Sequence, residues 1–502
     1  MAMGENAPFR ISLSIEKDKF AHSTLELRCF YRQFEKKQVP KAYYQYLRGQ
    51  ITKEELFNMY PREARKAKEE SWNATLGEIP EDEVDERIYE ATKETLDWLL
   101  IGGPPCQAYS YAGRSRILGE DKKRKTNKYE NDSRHYLYRE YLRILAEHTP
   151  PVFVMENVKG ILSSRIGEEK IFDRILADLK SPTKAVQRSR RPLYRTVRNA
   201  EYEIFSLVKG NKGQRLIRGS DYLIKSEEYG IPQTRHRVFL LGIRNDLKII
   251  PECLQKKAKK TIYEAISDLP PLRSRLSREP DSYKAWREIF NAIPKEHWFK
   301  EIEKDLQEIM LKDIDSLKEL SSGGRFVGRD SVKKEIKMEK RWLFDPKLHG
   351  YNNHESRSHI GEDLKRYFYA ACFAKVENRS PLIPDFPKAL HPAHQNIDRK
   401  ANGEIDFEDR FRVQLFDQAS TTIVSHISKD GHYFIHPDSL QCRSLTVREA
   451  ARIQTFPDNY FFEGPRTEQY KQVGNAVPPL LARQIGGIVY DVFNKIDEML
   501  DF

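Results

Sequence analysis

Apolar residues in the first 245 positions come in short runs separated by stretches with helical spacing. Leu96–Ile101 (LDWLLI) is one such run, and it ends at Gly102-Gly103-Pro104-Pro105. It reads as a buried strand running into a loop. Tyr138–Glu147 (YREYLRILAE) carries its apolar positions at helical spacing, and Val152–Met155 (VFVM) is a second buried strand leading to Glu156. Arg237–Ile243 (RVFLLGI) is a third. Strands alternating with helices imply a mostly parallel sheet flanked by helices, in which ligands sit at the carboxyl ends of the strands. From about Asn245 to Gln418 the pattern blurs, and Pro, Lys and Arg become frequent. This stretch is expected to form a separate, less regular domain. Regular patterning returns after Thr421. Thr446-Val447-Arg448-Glu449 is a capping box that opens a helix through about Thr455. Pro478-Pro479 starts a last helix to about Asp497, with Leu481, Ile485, Ile488 and Phe493 on its apolar face. The expected division is 1–245, 246–418 and 419–502, with no internal repeat.

Composition adds bounds. The 502 residues are 39% hydrophobic and 32% charged, enough for two or three domains. No run of 18 apolar residues suggests a membrane span, and Met1 to Arg10 lacks an apolar run with a small-residue cleavage site, which argues against a secretory signal. The five cysteines (Cys29, Cys106, Cys253, Cys372, Cys442) are scattered and form no C-x-x-C pair. That pattern suggests no zinc site and fits free thiols in a reducing cytoplasm. A formal charge of +11 is compatible with a polyanionic partner. By itself, though, it fits solvated loops better.

Four polar groups stand where chemistry is expected. Cys106 follows the first strand in Gly103-Pro104-Pro105-Cys106-Gln107, and a thiolate held there can add to an electron-poor carbon. Glu156 follows the second strand in Glu156-Asn157-Val158, and can exchange a proton with a ring nitrogen. Gln233-x-Arg235-x-Arg237 leads into the third strand, and extended alternation puts all three side chains on one face. Gly474-Asn475-Ala476-Val477-Pro478-Pro479 is a turn into a helix, a place to bind a polar ligand group. Singly, each has a plainer reading that is the better bet: a core cysteine, a cap, a solvated strand edge, punctuation. Their joint occurrence at strand ends is far more specific.

Together with Asp132–Leu145 (DSRHYLYREYLRIL), Arg443–Pro457 (RSLTVREAARIQTFP) and Gln472–Pro479 (QVGNAVPP), these segments resemble the prokaryotic DNA cytosine-5 methyltransferase family. Family-like sequence covers most of 10–245 and 420–495. The resemblance implies an α/β, Rossmann-like S-adenosylmethionine-dependent methyltransferase fold with a second, irregular target-recognition domain. It implies that Cys106 attacks carbon 6 of a flipped cytosine in duplex DNA, that Glu156 engages N3 and the amino group, and that Arg237 contacts the base carbonyl. Arg235 would order the site or a phosphate. For S-adenosyl-L-methionine, Glu16 would hold the ribose hydroxyls and Glu78, with Ile79, would meet the adenine. Pro104, Asn475 and Val477 would line the remainder. Gln107, Gln233, Arg357 and Lys429 would approach DNA. The Tyr351–Phe373 stretch adds Arg357, His359, Arg366 and Tyr367 to the candidates, and Ser425 to Gly431 adds His426.

The sequence departs from the family pattern at its start, where nothing before Glu16 matches the usual Phe-x-Gly-x-Gly strand end. A sheet without that strand would expose unpaired edges and apolar surface. The expected explanations are a start internal to a longer gene (preferred, since the other motifs are intact), a second chain that supplies the strand, or an inactive relative. Other readings are a partner-dependent DNA-binding subunit, a tRNA cytosine-5 methyltransferase, against which the large middle region argues, and an unrelated Cys enzyme, which leaves the later motifs unexplained. A restriction-modification role follows from the resemblance alone.

Overall fold

The computed structural model describes residues 7–104, 133–166, 169–186, 197, 199–210, 218–329, 335–392 and 408–500. Its strands are β1 (Ser14–Glu16), β2 (Ser71–Asn73), β3 (Leu99–Gly102), β4 (Val152–Val158), β5 (Tyr202–Phe205), β6 (Leu223–Lys225) and β7 (His236–Arg244), followed by a hairpin of β8 (Gly323–Gly328) and β9 (Gly350–Glu355).

β4 forms the middle of the main sheet because both of its faces are apolar. Phe153 and Met155 face one side, packing with Tyr141, Leu142 and Leu145 of helix Ser133–His148 and with Ile171, Ile175 and Leu179 of helix Ile171–Lys180. Val152 and Val154 face the other, against Leu481, Ile485, Val489, Val492 and Ile496 of helix Pro479–Leu500. This period-two split is what a strand covered on both faces requires. The sheet therefore sits between helical layers, as a Rossmann-like fold does. The expected capping box is present, with Thr446 and Glu449 opening helix Val447–Ile453.

Two expectations are corrected. The sheet is mixed rather than mostly parallel: β3 runs parallel to β4, but β7 is antiparallel to β4, β5 and β6. The cause is that β7 inserts between β4 and β5 instead of extending the sheet through a crossover helix. Nor is β3 a buried strand. Leu96 is 73% exposed and Ile101 71%, because among the described residues β3 pairs only with β4. Among the described residues β1 pairs only with β2, in parallel, as a separate two-stranded sheet. Among the described residues, the edge of β3 away from β4 is therefore open.

Packing clusters cross the expected domain boundaries. Ile262–Ile266 and Tyr351 share a core with Ile423, Leu445, Ile453 and Val473. Helices Tyr283–Ala292, Lys304–Asp315 and Gly361–Glu377 share another core with Ile435 and Cys442. The N-terminal helices Lys19–Arg32, Lys41–Leu47, Lys53–Met59 and Pro61–Glu70 close over Leu348 and Phe461. No described helix is long and apolar enough to cross a membrane.

Candidate active site

The carboxyl end of β4 brings the candidate charged groups together. Glu156 lies there with its Oε1 3.0 Å from Nε of Arg237, at the start of β7. The two residues come together because β4 and β7 are antiparallel neighbours, with Glu156 opposite Phe239 and Val158 opposite Arg237. Burial raises the Glu156 pKa, and Arg237 and Arg235 oppose that rise. A carboxyl group poised this way can present a proton to a partner and take it back. Asn157 donates its side-chain amide to the Pro104 carbonyl at 2.9 Å, tying the loop after β3 to β4. Gly103 lets that loop pass close: a Cβ there would sit 3.2 Å from Glu156 Oε2. Pro104 is buried beside this pair. Cys106 and Gln107 lie outside the described residues, two and three positions beyond Pro104.

Arg235 and Gln233 play a part the sequence did not disclose. Arg235 is 2% exposed and donates to the Ile423 carbonyl at 2.9 Å and the Gly474 carbonyl at 3.1 Å. That leaves it no path to a DNA phosphate, and it bolts β7 to the C-terminal segments. Gln233, expected to approach DNA, is wholly buried. Its amide donates to Gln454 at 3.0 Å, and its oxygen accepts the Ile423 N–H at 2.7 Å. The shared face read from alternation is therefore an internal face, open only at Arg237. Arg357 is likewise buried, donating to the carbonyls of Ile427, Ser428 and Lys429. His359, Arg366 and Tyr367 are buried too. All four are buried in the middle region of the chain, whereas Lys429 and His426 are exposed.

The residues expected at the cofactor fall into two groups. Glu16 ends β1 and accepts the Asp18 N–H at 2.8 Å, just before Asp18 caps helix Lys19–Arg32. Glu78 is exposed in a turn through Gly77. Ile79 packs, as do Leu13, Trp72, Leu76 and Leu100, against the buried cluster of Val84, Ile88 and Ile144, which lies near β1, β2 and β3. Asn475 ends helix Arg466–Asn475 and is exposed, while Val477 packs on the same core as Leu99. A strand-end acid beside an apolar wall fits the ribose and ring of an adenosine-type cofactor. Gly474 lets the chain pass close: a Cβ there would lie 2.4 Å from the Val424 carbonyl carbon.

Sequence reasoning missed the buried arginines of 443–457. Arg443 grips Glu449 with two bonds of 2.7 Å. Arg448 donates to the Asn352 and Tyr460 carbonyls. Arg452 binds Asp268 and Asp458. The spacing of Arg448 and Arg452, one helical turn apart and followed by Asp458, is the signal that could have found them.

Comparison with known proteins identifies the family. The family model for C-5 cytosine-specific DNA methylases matches residues 52–182 and 220–490. A type II methyltransferase of Bacillus paralicheniformis is 33% identical over 513 residues, covering 97% of this chain and 95% of that protein. One from Desulfomicrobium norvegicum is 25% identical, covering 80% and 74%. A DNA (cytosine-5-)-methyltransferase of Aeropyrum pernix is 24% identical, covering 79% and 82%. A buried strand-end carboxyl paired with an arginine, beside a loop that leads to a cysteine, is thus found in a chain matched over most of its length, and this chain belongs to the C-5 cytosine-specific DNA methylase family.

Proposed function

We propose that this chain methylates carbon 5 of cytosine within a specific duplex DNA sequence, using S-adenosyl-L-methionine and a covalent adduct between Cys106 and a flipped base. The observation that carries this reading is the Glu156–Arg237 pair at the end of β4. The thiolate of Cys106 adds to carbon 6 while Glu156 gives its proton to N3, which makes carbon 5 nucleophilic. Arg237 holds the base carbonyl. When bound, the cofactor supplies an electrophilic methyl group. After carbon 5 is methylated its proton leaves, the sulfur–carbon 6 bond breaks, and Glu156 recovers the N3 proton. The thiol reaches carbon 6 only from above the ring, so the base must leave the stack, at a cost of roughly a few kcal/mol. Glu16 and Ile79 would hold the ribose and adenine, with Glu78, Pro104, Asn475 and Val477 around them. The setting is a restriction-modification system in a prokaryotic cytoplasm, near the nucleoid.

The test is Cys106→Ala. Methyl transfer to unmethylated plasmid DNA is expected to fall to background while DNA binding persists, and a 5-fluorocytosine duplex is expected to trap the parent protein at Cys106. Retained turnover, or trapping elsewhere, overturns the assignment.

A second reading rests on the separation of β1 from β3: another chain completes the sheet and the cofactor site. S-adenosylmethionine calorimetry on this chain alone tests it. Clear binding removes the need for a partner.

A further inference from the structure

The segment Ser420–Lys429 has its backbone fixed along most of its length. Thr234 donates its N–H to the Ser420 carbonyl at 2.8 Å, and the Thr422 hydroxyl donates to the Thr234 carbonyl at 2.7 Å. Gln233 takes the Ile423 N–H, and Arg235 takes the Ile423 carbonyl. Gly474 presses against the Val424–Ser425 peptide, as close as a residue without a Cβ allows. Arg357 then gathers three successive carbonyls: Ile427 at 2.6 Å, Ser428 at 3.2 Å and Lys429 at 2.5 Å. Its guanidinium is itself held 4.9 Å over the Tyr470 ring.

The side chains of this segment divide cleanly. Ile423 and Ile427 are buried in the core, and Val424, Ser425, His426 and Lys429 are exposed. Backbone immobilised by bonds to its carbonyls, with polar side chains outward, is the arrangement of a rigid contact surface rather than of an idle loop, since a surface ordered in advance loses less entropy on binding. The segment is joined directly to the site, because the arginine that fixes Ile423 stands two residues from Arg237. Arg357 comes from the other side, following β9 of the recognition region.

We propose that Arg357 is a positioning residue that holds Ser425–Lys429 as a DNA-contacting ridge, with His426 and Lys429 as the side chains that touch the duplex beside the flipped base. This rests on the proposed methyltransferase reading. A planar fork with several donors suits three carbonyls, and lysine, a single point donor, satisfies them only in part. Lys429 contributes a cation at a phosphate, and His426, edge-on to Tyr433 at 6.3 Å, contributes a ring nitrogen to a phosphate or base edge.

The experiment compares Arg357→Ala, Arg357→Lys, Lys429→Ala, His426→Ala and the double variant Arg357→Ala/Lys429→Ala. Two readouts are used: methyl transfer to plasmid DNA, and affinity for a mixed-sequence duplex across salt. Arg357→Ala is expected to raise KM for DNA about 10-fold with kcat within about twofold, and Arg357→Lys to recover part of the loss. Lys429→Ala is expected to flatten the salt dependence by about one phosphate contact. The double variant is expected to lose much less than the product of the single losses, because both act through one ridge. Multiplicative losses, or an Arg357→Ala variant with unchanged KM for DNA, overturn the proposal. If the parent chain binds the duplex with this salt dependence but transfers no methyl group, the methyltransferase reading fails, and the binding comparison still decides the ridge.

Discussion

Arg235 and Arg237 stand two positions apart in one motif and do different work. Arg235 is sealed inside and satisfies two buried carbonyls. Its loss leaves both acceptors without a partner, at about 1–3 kcal/mol each. Arg235→Ala is expected to lower the thermal midpoint sharply and to reduce transfer mainly by reducing the folded fraction. Arg237 is half-buried against Glu156. Without it the carboxyl group can keep its proton instead of standing as a bare buried charge, which limits the cost to stability. Arg237→Ala is therefore expected to cut kcat/KM about 100-fold or more with little change in midpoint, and a matched pair of activity and melting curves checks both. Equal midpoint losses in the two variants would show that the division is wrong. The sequence made the identities at this site legible but not their division of labour. Alternation places Gln233, Arg235 and Arg237 on one face, yet cannot say whether that face looks inward. Arg357 was misread for the same reason, since a basic residue in a basic region carries no local mark of the carbonyls it serves.

Whole elements were easier to read, because their periodicity is local. The helix after Thr446, the last helix and the strands ending near Glu156 and Ile243 all follow from spacing. The hairpin of β8 and β9 and the short helices of the middle region did not, since their apolar faces are completed by distant segments. One such meeting, where β9 packs against helix Val447–Ile453, buries two histidines. His354 lies between the Pro270 carbonyl and the Thr446 hydroxyl, at 2.8 and 3.0 Å. His436 lies 3.6 Å from Glu449, which Arg443 grips. Burial is the main cause that holds both near a pKa of about 4, with Arg443 adding to it and Glu449 opposing it; Arg448 also depresses His354, and Asp438 raises His436. Both are neutral in the fold but become protonated near 6.5 in the unfolded chain. Their contribution is present in full above pH 6.5 and is lost as pH falls from there toward 4. Each histidine steepens the decline by up to about 1.4 kcal/mol per pH unit. Urea midpoints at pH 7.5, 6 and 5 are expected to fall steadily, and less steeply in His436→Asn. A flat profile between pH 7 and 5 would refute this account of the junction.

Across the whole molecule, the described residues place β1 and β3 in separate sheets, which leaves one edge of β3 unpaired. Polar edge groups and the exposed Ile101 stand together there, a combination that invites pairing with another strand. The parent chain is expected to associate as its concentration rises, and Ile101→Lys to suppress that association without altering the far-ultraviolet circular dichroism. Sedimentation at two concentrations measures both, and a parent chain that stays monomeric at each would count against an active edge.

The clasp of the N-terminal helices has a consequence in time. Their core is completed by Leu348 and Phe461, and Tyr43 and Tyr31 bond to Asn459. A ribosome adding about 5–20 residues per second reaches Asn459 roughly 20–80 s after it has finished the helices that need it. Until then a tyrosine-rich apolar surface has left the exit tunnel without its counterpart. Synthesis of this chain is thus the interval in which chaperones are most needed.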